Sequence, residues 1–103
     1  MPSRREKLEN MLQSDPNDQL LRYMLAMELE KESSYEACLQ QFGLLMHAPV
    51  PYVPAFLMAG QLLTRLDRTS DAKATYLRGI QLANQQGNSH AAGEMSGFLA
   101  MLG

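Results

Sequence analysis

A shift of 34 residues lays one stretch of this chain over another, and this limits the available folds more than any other feature of the sequence. At that offset Leu25 meets Ala59, Ala26 meets Gly60, Leu29 meets Leu63, Cys38 meets Ala72 and Phe42 meets Tyr76. Turn-forming clusters punctuate the chain at Asp15-Pro16-Asn17-Asp18, Glu32-Ser33-Ser34, Ala48-Pro49-Val50-Pro51, Asp67-Arg68-Thr69 and Gln86-Gly87-Asn88-Ser89. The segments between them run about 10 to 18 residues, the length of ordinary globular helices. Their apolar residues return at helical spacing, as in Leu21, Leu25 and Leu29 or Phe56, Ala59, Leu63 and Leu66. No segment alternates with the period of two expected of a strand, and β-branched residues are scarce, so the pattern predicts an all-α chain of six helices.

The expected helices span 3–14, 18–32, 34–47, 53–66, 69–85 and 89–102. Ser3 with Glu6 and Ser33 with Glu36 both fit the S-x-x-E capping box, and each places a carboxylate near the positive end of a helix. Asp67 is expected to cap the fifth helix, and Asp18 or Asn17 the second. Pro54 suits the first turn of the fourth, where its missing N–H is not needed.

A helix pair repeating at this length resembles the tetratricopeptide repeat, whose pattern is W-x2-L-G-x2-Y, then A-x3-F, then P. Arg22-x2-Leu25-Ala26-x2-Leu29 and Phe56-x2-Ala59-Gly60-x2-Leu63 resemble its first helix, and Cys38-x3-Phe42 and Ala72-x3-Tyr76 its second. The chain departs from the pattern at Arg22, where the family has a bulky aromatic, and at Val50 and Asn84, where it has proline. Pro49 and Pro51 still flank Val50 with a turn, whereas Asn84 leaves the second helix of the second copy free to run on. The resemblance covers residues 3–86 and implies a right-handed stack. Its expected parts are a half-repeat helix at 3–14, repeats at 19–52 and 53–86, and a C-terminal capping helix within 87–103, all in one domain over 1–103. Small residues at Ala26, Gly60, Cys38 and Ala72 would allow close helix approach, and Phe42 and Tyr76 would fill the space between helix pairs.

In this family the first helix of each repeat lines a concave surface. The resemblance therefore implies a groove from Leu20, Tyr23, Met24, Met27 and Lys31 in the first repeat and Leu57, Met58, Gln61, Thr64 and Arg65 in the second. Met95 is expected to close its far end. Such a groove is rich in methionine, whose flexible thioether adapts to varied apolar side chains, so its expected ligand is an apolar peptide or an amphipathic helix of another protein. A clamp for a C-terminal carboxylate is poorly supported, because Lys31 and Arg65 alone supply positive charge there. From Gly79 to Gly103 the only formally charged side chain is Glu94. A terminal repeat needs a polar outer face, so the alternative expectation is a homo-oligomer, such as a homodimer, that buries Phe98 and Met101. Gly93 and Gly97 add a spacing that permits close helix contact.

Composition argues against other classes of function. Nine Lys plus Arg against eleven Asp plus Glu give a net charge of −2, which leaves no excess charge for a phosphate backbone, and no nucleic-acid partner is expected. No apolar run approaches the roughly 18 residues of a spanning helix, and MPSRREKLEN does not read as a signal segment, so the expected location is cytoplasmic, away from membranes. The single cysteine, Cys38, excludes an intrachain disulfide and a multi-cysteine zinc site. His47 and His90 lack a neighbouring nucleophile or acidic triad, and Glu28, Glu30 and Glu32 fall on different faces of one helix. No Gly-rich phosphate loop is present. The sequence thus predicts a non-catalytic protein without metal or cofactor.

Overall fold

The computed structural model describes residues 2–103. Among them are six α-helices and no strand: α1 (Arg4–Ser14), α2 (Gln19–Lys31), α3 (Tyr35–Met46), α4 (Val53–Arg65), α5 (Thr69–Gln85) and α6 (Ser89–Met101). The chain divides into two compact units, the first ending at Val50 and the second beginning at Pro51. In the first, α2 packs against α1 and α3; in the second, α5 packs against α4 and α6, and α6 also touches α4.

The repeat is exact in the helix bounds, since α4 begins and ends 34 residues after α2. All ten residues matched at that offset are buried. Phe42 is fully buried, and a Cβ added at Gly60 would run into the Tyr76 ring. The small residue therefore marks where a second helix lays its aromatic ring on the first. Where the family has an aromatic, Arg22 connects three segments by hydrogen bonds instead. Its Nη1 donates to Gln41 Oε1 on α3 at 2.7 Å and its Nη2 to the Pro16 carbonyl at 3.0 Å.

Two expected caps are corrected. Ser33 and Asp67 lie at φ 61° and 60°, in the left-handed region, and the helices that follow have Ser34 and Arg68 as N-caps, neither with a side-chain cap bond. Each of the two residues instead finishes the preceding helix. The N–H of Ser33 donates to Glu30 O and that of Ser34 to Leu29 O, while Asp67 donates to Thr64 O and Arg68 to Leu63 O. This double reverse bond satisfies carbonyls that the helix end would otherwise leave open, and offsets the cost of a left-handed non-glycine residue. Gly87, at φ 74°, closes α5 in the same way through Asn84 O and Ala83 O. Ser3 and Asp18 act as expected, accepting from the Glu6 and Leu21 N–H groups, and Asn88 adds a third cap by accepting from Ala91 N–H.

The α3 and α5 lengths differ as the missing proline implies, at 12 and 17 residues. One consequence is that α6, like α4 a helix of 13 residues, starts 36 residues after it, two more than the repeat length. In that register Ala92 and Met95 take the places of Phe56 and Ala59, and all four are buried. Large and small have exchanged places. Gly79 of α5 makes room for both large ones, because a Cβ there would stand 2.6 Å from Phe56 Cβ and 2.6 Å from Met95 Sδ.

Candidate functional site

The residues expected to form a groove fall into the two units. In the first, Leu20 and Lys31 of α2 are exposed, whereas Tyr23, Met24 and Met27 are half-buried. Tyr23 leans on Phe42 with ring centroids 6.2 Å apart and planes inclined by 49°, so its ring is held in one orientation. Lys31 Nζ lies 3.8 Å from Glu28 Oε2, and Glu28 also takes Arg4 Nε at 3.2 Å. Arg5 Nη1 stands 3.7 Å from Glu32 Oε1, so two acids of α2 face the basic residues of α1. Exposed pairs of this kind contribute little stability but fix the local charge pattern.

In the second unit the structure brings three of the expected groove residues, Gln61, Thr64 and Arg65 of α4, beside Phe98 and Met101 of α6, which the sequence marked for self-association. Together with Tyr76 and Leu102 they line an open cleft of about 410 Å³. Leu57 and Met58 lie half-buried on α4 outside this lining. Met95 is corrected: it is fully buried, its sulfur occupying the space over Gly79, and it offers no surface to a ligand.

The cleft is apolar because of how α5 places Tyr76. This ring is 1% exposed, stacks on Phe98 with centroids 6.1 Å apart and planes 12° from parallel, and so fixes Phe98 as part of the wall. Thr64 Oγ1 donates to the Gly60 carbonyl at 2.8 Å, a bond back along its own helix that turns its methyl outward from that carbonyl. Arg65 is the only charged residue of the lining. Tyr76 and Leu102 were not among the expected site residues. Leu102 shows a signal in retrospect, as Phe98, Met101 and Leu102 follow the i, i+3, i+4 spacing of one helical face. Tyr76 reads as core in the sequence and is core; only its contact with Phe98 makes it a supporting wall.

Burial pushes the Tyr76 phenol above its ordinary value near 10, and a hydrogen bond with the Thr64 side chain offsets part of this. The folded chain then holds this proton to higher pH than the unfolded chain. The associated stability is complete below about pH 10 and is lost as pH rises through the folded value. Tyr76→Phe is expected to flatten the alkaline fall in melting temperature, measured between about pH 8 and 11; an unchanged slope would place the titration elsewhere.

A second cleft, of about 620 Å³, lies in the first unit between the α1–α2 turn, α3 and the turn after it. Its polar groups are already engaged, Gln19 Nε2 with Val50 O at 2.8 Å and Arg22 as described. The other chemistry-bearing residues do not converge. His47 is exposed at the end of α3, His90 Nε2 faces only Glu94 Oε1 at 3.3 Å, and Cys38 is buried. No three His, Cys, Asp or Glu side chains group together among the described residues, and none of their helices is long and apolar enough to cross a membrane.

No family model matches the chain, and no curated protein matches it. Solved structures do. A tetratricopeptide repeat domain protein from Salinibacter ruber, solved in solution, is 33% identical over 84% of this chain and 88% of its own, with a TM-score of 0.79. A crystal structure of a tetratricopeptide repeat domain protein from the same organism is 33% identical over 82% and 96%, with a TM-score of 0.75. A Bordetella parapertussis protein solved in solution is 25% identical over 99% of this chain and 89% of its own, with a TM-score of 0.79. With helices spaced by 34 residues, the motif residues buried in both copies, and a third of the sequence shared across these domains, the chain belongs to the tetratricopeptide repeat family.

Proposed function

We propose that the cleft between α4 and α6 receives apolar side chains of another polypeptide, presented by an amphipathic helix or an apolar peptide. Tetratricopeptide repeat folds are in general non-catalytic protein-interaction modules. The observation that carries the finer reading is the lining itself: Phe98 held on Tyr76, with Met101 and Leu102 beside it, around an open volume whose only charge is Arg65. Apolar concavities with few polar groups are where partner side chains gain most from leaving water. In the same reading α2 offers Tyr23, Met24 and Met27 to a partner in the first unit, and α4 adds Leu57 and Met58 in the second.

The test is titration with a synthetic amphipathic peptide carrying leucine at i, i+3, i+4 and i+7. Met101 is 81% exposed, so a change there leaves the core intact. Met101→Glu is expected to weaken the peptide by about tenfold or more with unchanged helical content, since the carboxylate must lose water to admit an apolar partner. Equal affinity in the two proteins, or no binding by either, would contradict the reading.

Self-association through α6 is the second reading, favoured by the same exposed Met101 and by the open space around Gly93 and Gly97, where nothing lies within 4 Å of an added Cβ. Light scattering behind size-exclusion chromatography separates the two. If α6 joins two copies, the mass of the wild-type chain halves on Met101→Glu; if the cleft serves another protein, the mass stays and only the peptide weakens.

A further inference from the structure

The methionines of the chain differ sharply in access. Met95 is fully buried, Met24, Met27, Met46 and Met58 are half-buried, and Met11 and Met101 are 51% and 81% exposed. Of these only Met101 lines the cleft of the second unit, beside Phe98 and Leu102. An accessible thioether is oxidised readily, and its product is a polar, strongly accepting group in place of an apolar one. At Met101 that change falls on the wall that gives the cleft its apolar character.

We infer that Met101 is a modification site, and that its conversion to the sulfoxide by a hydroperoxide closes the α4–α6 cleft to apolar ligands. In the step, the Met101 sulfur takes one oxygen atom from the peroxide. An S–O bond forms and the O–O bond breaks; the sulfur loses two electrons, and the peroxide is reduced to an alcohol, or to water when it is hydrogen peroxide. The sulfoxide oxygen then needs water or a donor. Phe98, Leu102 and the ring faces of Tyr76 supply none, so an apolar side chain entering the cleft would strip that oxygen of solvent. The consequence for binding rests on the reading of the cleft proposed above, whereas the order of oxidation does not.

Both parts are read in one experiment on the full chain, treated with hydrogen peroxide, mapped by peptide mass analysis and titrated with the leucine peptide. Met101 and Met11 are expected to oxidise first and Met95 last. The peptide is expected to bind the oxidised chain about tenfold more weakly. For Met101→Leu, whatever its starting affinity, the ratio before and after peroxide should stay near one, while Met11→Leu should show the full drop. Oxidation of Met101 no faster than Met95, or an equal drop in Met101→Leu, would overturn the inference. A peptide that binds equally well before and after peroxide would overturn this inference alone; one that never binds would overturn the cleft reading with it.

Discussion

Tyr76→Ala is expected to destabilise the chain by about 3–5 kcal/mol, the range for removing a buried aromatic side chain. The ring is 1% exposed and is the largest fully buried side chain of the second unit. Three neighbours lose their partner at once: Gly60, whose missing side chain leaves the space the ring fills, Phe98, which stacks on it, and Thr64, which hydrogen-bonds it. Refilling the gap would require α4 and α5 to approach further, and their separation is already set by the other buried contacts between them. For a chain of this size, total stability is about 5–15 kcal/mol, so urea unfolding should show a midpoint shifted far down or no cooperative transition. Tyr76→Phe, which keeps the ring, should cost only about 1 kcal/mol. A loss below about 1 kcal/mol for Tyr76→Ala would mean that the ring does not hold α4, α5 and α6 together.

Glycine-to-alanine substitutions are expected to divide by sign. In a helix this change normally stabilises by about 0.5–1 kcal/mol, because alanine loses less freedom on folding. Gly43, Gly93 and Gly97 are helical with open space where a Cβ would stand, so each should show that gain. Gly60 and Gly79 should show the reverse, a loss of about 1–3 kcal/mol from overpacking. At Gly60 the obstacle is the Tyr76 ring, held on its other side by Phe98; at Gly79 it is Phe56 Cβ, which cannot move without its backbone. Five variants measured by urea unfolding at one protein concentration check this. A gain at Gly79 would show that α4, α5 and α6 can separate freely enough to admit a methyl group.

The helices were legible in the sequence because turn residues and apolar spacing both report local geometry, and the bounds from α1 to α6 agree within a residue or so. The repeat was legible because Ala26, Gly60, Cys38 and Ala72 stand where helices must come close. The role of Ser33 and Asp67 was not, since the same short polar side chains favour both an N-cap and a left-handed helix end. Which role wins depends on the two reverse bonds to the preceding helix, and a spacing of Ser to Glu does not reveal those. Met95 was misplaced for a related reason. The 34-residue register stops at Gly87, and the longer α5 moves α6 to an offset of 36, where Met95 falls in the seam. Gln61, Thr64 and Arg65 were identified from the resemblance, but their meeting with Phe98 and Met101 depends on that same displacement of α6. Tyr76 could not be assigned to the cleft from sequence, because a buried ring that supports a wall has the same helical spacing as any core residue.

The most direct measurement is residue-resolved chemical-shift mapping of the isotopically labelled chain during titration with the leucine peptide. The account predicts saturable shifts at Gln61, Thr64, Phe98, Met101 and Leu102, with Leu44 and Val50 of the other cleft unmoved. Saturable shifts confined to Arg22, Leu44 and Val50, or shifts that never saturate, would contradict it.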